Sequence, residues 1–298
     1  MKNLQTFASA LVVLLGTSTL AFADANTIGF DMSGAAGSST VGTRSVAQNG
    51  SGNAIDATLN GSINSISFIQ TGDDNDTTLI LGGSSSSAAS YAMNAVGDGN
   101  IVATTISSAA SALTYVLDIL GSSNQATETF TSATASVDAD TSIIGDFNIS
   151  TLLVDALSIM SDYIVSGDSN VLMIDADAGG LDSFTSYIDV DGQSNNVYNL
   201  VNAAVTTLDN NLVLTGSTND IDLTQSAITS KITATVNASS LNMDVTQSGT
   251  TSNILIAEVN AAAGAGATYT VTQSAATSTF TDNVNLSAGG SSTVTISN

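Results

Sequence analysis

Histidine, cysteine, proline and tryptophan are all missing from the 298 residues, and only 3 side chains are basic against 26 acidic ones. Without histidine or cysteine there is no Ser-His-Asp or Cys-His nucleophile, no imidazole or thiolate metal site and no disulfide framework. No enzyme is expected. Nucleic acid is excluded as a partner, because a chain of net charge -23 has no basic patch to displace counterions from phosphates. The absence of proline carries structural information: a backbone with no proline can pair every N-H in a sheet. Aromatic residues make up 5%, too few for the sugar platforms of a polysaccharide-degrading solenoid, and nothing selects one pair of carboxylates for glycoside hydrolysis.

What is present is 43% hydrophobic residues, enough to order a large structure despite the acidity. Residues 1–23 run from basic Lys2 through the apolar stretch Ala10–Leu15 to Ala21 and Ala23, the pattern of a secretory signal peptide cleaved before Asp24. A transmembrane anchor would need about 20 apolar residues, and Gly16, Thr17 and Ser18 interrupt this stretch. The rest keeps only Arg44 and Lys231 as basic residues, and no later segment is apolar enough to span a bilayer. A secreted or cell-surface product is therefore expected. Residues 24–44, rich in Gly, Ser and Ala, read as a flexible leader.

From residue 45 to 298 the chain reads as one repeat array. Gly-x-x-Asn recurs at Gly50/Asn53, Gly72/Asn75, Gly97/Asn100, Gly121/Asn124, Gly145/Asn148, Gly167/Asn170, Gly192/Asn195 and Gly216/Asn219, at glycine intervals of 22, 25, 24, 24, 22, 25 and 24 residues. Gln225, Gln247 with Gly249 and Asn253, and Gln273 mark weaker copies further on. Glycine and asparagine accept turn backbone, so each motif reads as a tight corner. Between corners lie alternating β-branched runs such as Ser65–Ile69, Ile101–Ile106 and Thr268–Thr272, which read as strands. Asn60-Gly61 marks a half-way corner, so one unit is strand, turn, strand, turn. Residues 107–120 and 151–160 also fit an amphipathic helix, but their place in the register favours strand.

These features predict an all-β protein, a single β-solenoid of about ten strand-turn-strand coils with a 22–25 residue period. At about 4.8 Å per coil the rod is roughly 50 Å long, held by stacking between neighbouring coils with amide ladders inside. No cofactor is expected. Asp73, Asp74 and Asp76 place oxygen ligands in a turn, as calcium-binding solenoids do, yet a solvated acidic corner is the favoured reading because no calcium nonapeptide appears. Asp98, Asp146 and Asp168 share one register position and would repel if stacked. The Thr-x-Thr pieces do not recur at one position, which argues against a flat threonine face for ice.

Gln48-x-Gly50-x-Gly52-Asn53 and Gln70-x-Gly72-x-x-Asn75 resemble the repeat of the curlin family, secreted subunits of bacterial curli amyloid fibres. Gln247, Gly249 and Asn253 match with one extra residue, whereas Gln225 and Gln273 match at the glutamine alone. The resemblance implies that Gln48, Asn53, Gln70 and Asn75 stack as ladders while Gly50, Gly52 and Gly72 turn the chain. It implies a fibre subunit for biofilm matrix or surface adhesion, with copies of itself, an outer-membrane secretion pore and a nucleating subunit as partners. The middle units depart from the family pattern, with Ala95, Ile119, Ile143, Val165, Val190 and Leu214 where glutamine would stand. The competing expectation is a monomeric secreted β-solenoid adhesin or binding module, in one form calcium-dependent.

Overall fold

A computed structural model describes residues 27–33, 44–50, 52–60, 65–83, 89–108, 112–176, 183–261, 267–286 and 292–297. The predicted signal peptide, residues 1–23, and the half-way corner at Gly61 lie outside them. The described residues form one parallel sheet system wound into a β-solenoid of roughly ten coils, with no helix. Ala112–Leu120 and Phe147–Ser166 are strand, as the repeat register predicts.

Each coil contributes one strand to each of two columns. The first column holds the strands that run into the Gly-x-x-Asn corners: Arg44–Asn49, Ser65–Thr71, Ala89–Val96 and Ala112–Leu120, then residues 136–144 and 158–166, Ser183–Asp191 and residues 207–215. The second holds those that leave: Thr27–Ser33, Ala54–Asn60, Asp76–Gly83 and Ile101–Ser108, then residues 123–131 and 147–156, Ser169–Ala176 and residues 194–201. Every strand pairs in parallel with its equivalent one coil away, for example Val46 with Phe68 and Phe68 with Met93. The pairing rounds some corners unbroken, so Ser123–Ile144 and Ser194–Ser248 are continuous ribbons.

Alternation along each strand sets the core. In Ser169–Ala176 the even-numbered residues, from Asn170 to Ala176, are buried and the odd-numbered ones face outward. Stacked coils turn this alternation into longitudinal layers. One layer of the first column runs Val46, Phe68, Met93, Leu117, Thr141, Tyr163, Ile188 and Leu212, all buried. No coil encloses these side chains alone, so stability comes from contacts between neighbours.

One part of the leader differs from the expectation. Thr27–Ser33 is a strand paired residue by residue with Ala54–Asn60, so it belongs to the array. Its Gly and Ser neighbours hide the alternation Ile28, Phe30, Met32, which occupies the register positions of Ile55, Ala57 and Leu59.

Candidate functional site

The eight Gly-x-x-Asn corners stack along one edge of the rod. Their asparagines, from Asn53 to Asn219, are all buried. From Asn75 on, each Nδ2 donates to Oδ1 of the next: Asn75 to Asn100 at 3.1 Å, Asn100 to Asn124 at 3.2 Å, Asn124 to Asn148 at 3.1 Å, Asn148 to Asn170 at 2.9 Å, Asn170 to Asn195 at 2.9 Å and Asn195 to Asn219 at 3.1 Å. From Asn53 to Asn195 each amide also donates to the carbonyl of its own corner glycine, as Asn148 does to Gly145 at 2.9 Å. That second bond explains the spacing, because only a side chain three residues on reaches back across the turn. The glycines are needed because the turns nest. A Cβ on Gly97 would lie 1.5 Å from the Gly72 oxygen, and one on Gly121 would lie 1.6 Å from that of Gly97. Gly145, Gly167, Gly192 and Gly216 meet the same obstruction, and Gly50 and Gly52 turn the first corner at positive φ.

Glutamines form a second device. Gln70 Nε2 donates to Gln48 Oε1 at 3.2 Å and to the Asp76 carbonyl at 3.3 Å, while Thr77 donates to Gln70 Oε1. Gln247, Gln225 and Gln273 repeat this arrangement at the other end of the rod. Gln273 Nε2 donates to Gln247 Oε1 at 2.7 Å, Gln247 to the Ile254 carbonyl at 3.3 Å, and Ser230 to Gln225 Oε1 at 2.6 Å. The sequence places these three among the weaker copies of one motif. The structure keeps them in the array but on the opposite edge. Asn195 bonds Asn219, Asn242 bonds Asp220 and Lys231 bonds Asp209, so residues 219–226 and 241–248 continue the second column and residues 229–238 the first. Gln225, Gln247 and Gln273 therefore end second-column strands, whereas Gln48 and Gln70 end first-column strands. Gly249 and Asn253 turn the opposite edge, where Asn253 donates to the Gln247 carbonyl at 3.0 Å.

Asp73, Asp74 and Asp76 are exposed at one corner, and among the described residues no three acidic side chains converge as a metal site. Asp98 and Asp146 are separated by Ser122, which donates to Asp98 at 3.4 Å, and Gln193 donates to Asp168 at 3.1 Å. The closer acid cluster lies on the first-column face, where Asp140 stacks on Asp162 with Asp138 and Asp118 nearby. Desolvation first, then these three carboxylates, raise the Asp140 pKa.

Inside the rod sits a group that the motif search missed. Glu128 is fully buried between Thr104 and Leu152 of the adjacent coils, and accepts a hydrogen bond from Thr141 at 2.8 Å. Burial pushes its pKa up to about 8 against the opposing Thr141 bond. Tyr115, bonded to Thr104 at 2.9 Å and edge-on to Phe130, is also raised, first by burial and then by Glu128. Alternation from Asn124 through Ala126 puts residue 128 inward and was the available signal.

No family model, curated protein or solved structure matches the chain. Among the described residues, no helix is long and apolar enough to cross a membrane.

Proposed function

We propose that the chain is an exported structural subunit that polymerises end to end into a curli-like extracellular fibre, for biofilm matrix or surface attachment, with no catalytic role. The carrying observation is the state of the two ends. Among the described residues, Thr27–Ser33 and Arg44–Asn49 pair on one side only, as do Thr277–Leu286 and Ser292–Ser297. An open end presents unpaired N-H and C=O groups beside an apolar interior, and another copy satisfies both. Such a contact is heterologous and does not close, so it extends into a filament. Export uses residues 1–23, and a secretion pore and nucleating subunit are the partners that the curlin resemblance adds.

The test takes residues 24–298 from denaturant into buffer at two salt concentrations, with thioflavin fluorescence and fibre diffraction on the product. Fibres with a cross-β spacing of about 4.7–4.8 Å, growing faster with salt or seeds, support the reading. A soluble β-rich monomer at every concentration overturns it.

The monomeric binding module is favoured by one feature, an exposed apolar patch on the second-column face. Ile149, Met173, Tyr198 and Leu200 lie there on three successive coils, with Met173 stacked on Tyr198. Such a patch on a flat sheet is a docking surface for a ligand or partner.

A further inference from the structure

A parallel solenoid is extended by filling its next open half-coil. Past Ser292–Ser297, which pairs with Ala267–Ser274 in the second column, that position lies over Thr277–Leu286 in the first. The first described strand, Thr27–Ser33, belongs to the second column. The described array thus begins and ends in the same column, and a copy added in the same orientation through these strands leaves a first-column position empty. Thr277–Leu286 would then keep a row of backbone groups unpaired inside the joint, which is costly.

A half-turn about the rod axis exchanges the columns and preserves the parallel strand direction. Thr27–Ser33 of the added copy then lies over Thr277–Leu286, and its Arg44–Asn49 over Ser292–Ser297, with no vacancy. The register positions of Ile28, Phe30 and Met32 face the end layer that contains Phe280, which is half-buried against the core.

The glutamines supply an independent observation. Gln225, Gln247 and Gln273 end second-column strands on one edge, and Gln48 and Gln70 end first-column strands on the other. The two sets make the same bonds, glutamine to glutamine and glutamine to the carbonyl across the corner. Within one molecule they are out of line. A half-turn between copies brings them onto one edge and into one lateral position.

We propose that successive copies join head to tail with a half-turn about the fibre axis, so that the C-terminal glutamine edge of one copy continues into the N-terminal glutamine edge of the next. This rests on the fibre reading above and specifies its joint.

Because the chain has no cysteine, introduced pairs report cleanly. In the half-turn joint Ala47 of one copy stacks on Ser297 of its neighbour, one residue before the glutamine position in each column. In a joint without rotation Ala47 lies two coils from Asn283, across the empty half-coil, and the residue that stacks on Ser297 is Asp31. Stacked Cα atoms lie about 4.8 Å apart, within disulfide reach, whereas within one copy these positions are at opposite ends of the rod.

Double variants Ala47→Cys with Ser297→Cys, and Asp31→Cys with Ser297→Cys, are assembled and oxidised, and covalent oligomers are read on non-reducing gels. Cryo-electron microscopy of fibres from the unsubstituted chain reads the same joint without a substitution. The expected result is a covalent ladder from the 47/297 pair, at least tenfold more than from 31/297. A ladder from 31/297, or fibres with a ladder from neither, overturns the half-turn joint and leaves the fibre reading standing. Failure of the unsubstituted chain to form fibres overturns the fibre reading itself.

Discussion

Thr141 donates its hydroxyl hydrogen to Glu128 Oε1 across 2.8 Å in the interior of the rod, while Glu128 Oε2 has no protein partner. One hydroxyl bond does not offset the desolvation of a carboxylate, so the folded protein holds a proton on Glu128 up to about pH 8, against 4.5 for an unburied glutamate. The folded state binds this proton more tightly than the unfolded state. Its contribution to stability is full below about pH 4.5 and is lost as pH rises to about 8. At pH 7 the loss is about 3 kcal/mol. Glu128→Gln removes the charge and is expected to raise the urea midpoint at pH 8 while changing it little at pH 4.5. Unfolding curves at the two pH values check this, and equal effects at both would contradict a buried titrating carboxylate.

Asn148 occupies the middle of the amide column, accepting from Asn124 and donating to Asn170 and to the Gly145 carbonyl. Asn148→Ala leaves the Asn124 donor and the Asn170 acceptor each short of a buried partner. The expected destabilisation is about 2–3 kcal/mol. Asn148→Asp should be worse at neutral pH, since a carboxylate cannot donate to Asn170. Denaturant unfolding of both variants measures the ranking.

Asp140 and Asp162 stack on neighbouring coils, with Asp138 and Asp118 close by, and the folded-state pKa of Asp140 is raised. Its stabilising protonation is complete below the ordinary aspartate range near 3.8 and is lost as pH rises through the raised value. Asp140→Asn is therefore expected to raise the melting temperature at neutral pH and low salt. The gain should shrink above about 0.15 M salt, where the screening length falls to about 8 Å. A gain independent of salt would point to packing rather than charge.

The Gly-x-x-Asn corners are legible in the sequence because two local demands act on them together. Gly97 must pass close over the Gly72 carbonyl, and Asn100 must reach back three residues to Gly97 and onward to Asn124. Few residue types meet either demand, so the pair recurs visibly. The edge on which Gln225 lies is not legible by the same means. Both half-coils are a strand and a turn of similar length, and a motif moved by half a coil keeps its local surroundings. Glu128 escapes a search for period because its meaning lies in the parity of 124, 126 and 128 along one strand.

Gly121→Ala tests the nesting of the turns. The added Cβ would lie 1.6 Å from the Gly97 oxygen and 3.0 Å from the Asn124 side chain, so two coils must separate locally. Loss of the neighbouring corner bonds is expected to cost roughly 2–4 kcal/mol. Hydrogen exchange should show the loss at residues 97–124 first, because a solenoid transmits strain mainly to its neighbours. Uniform loss of protection along the rod would mean that the array behaves as one cooperative block.

Val46 separates folding from assembly. It points inward from Arg44–Asn49, a strand that pairs on one side only among the described residues, so in the proposed fibre its layer is completed by the next copy. Val46→Asp puts a charge in that joint but disturbs only the terminal coil of the monomer. Since stability is nearly a sum over neighbouring coils, the urea midpoint should move little. Elongation from preformed seeds should slow at least tenfold, because a buried unpaired carboxylate opposes docking. Acidification below the aspartate range should restore much of the rate by neutralising the side chain. Unchanged elongation would show that growth does not proceed through this end, and the fibre would have to be built through the flat faces.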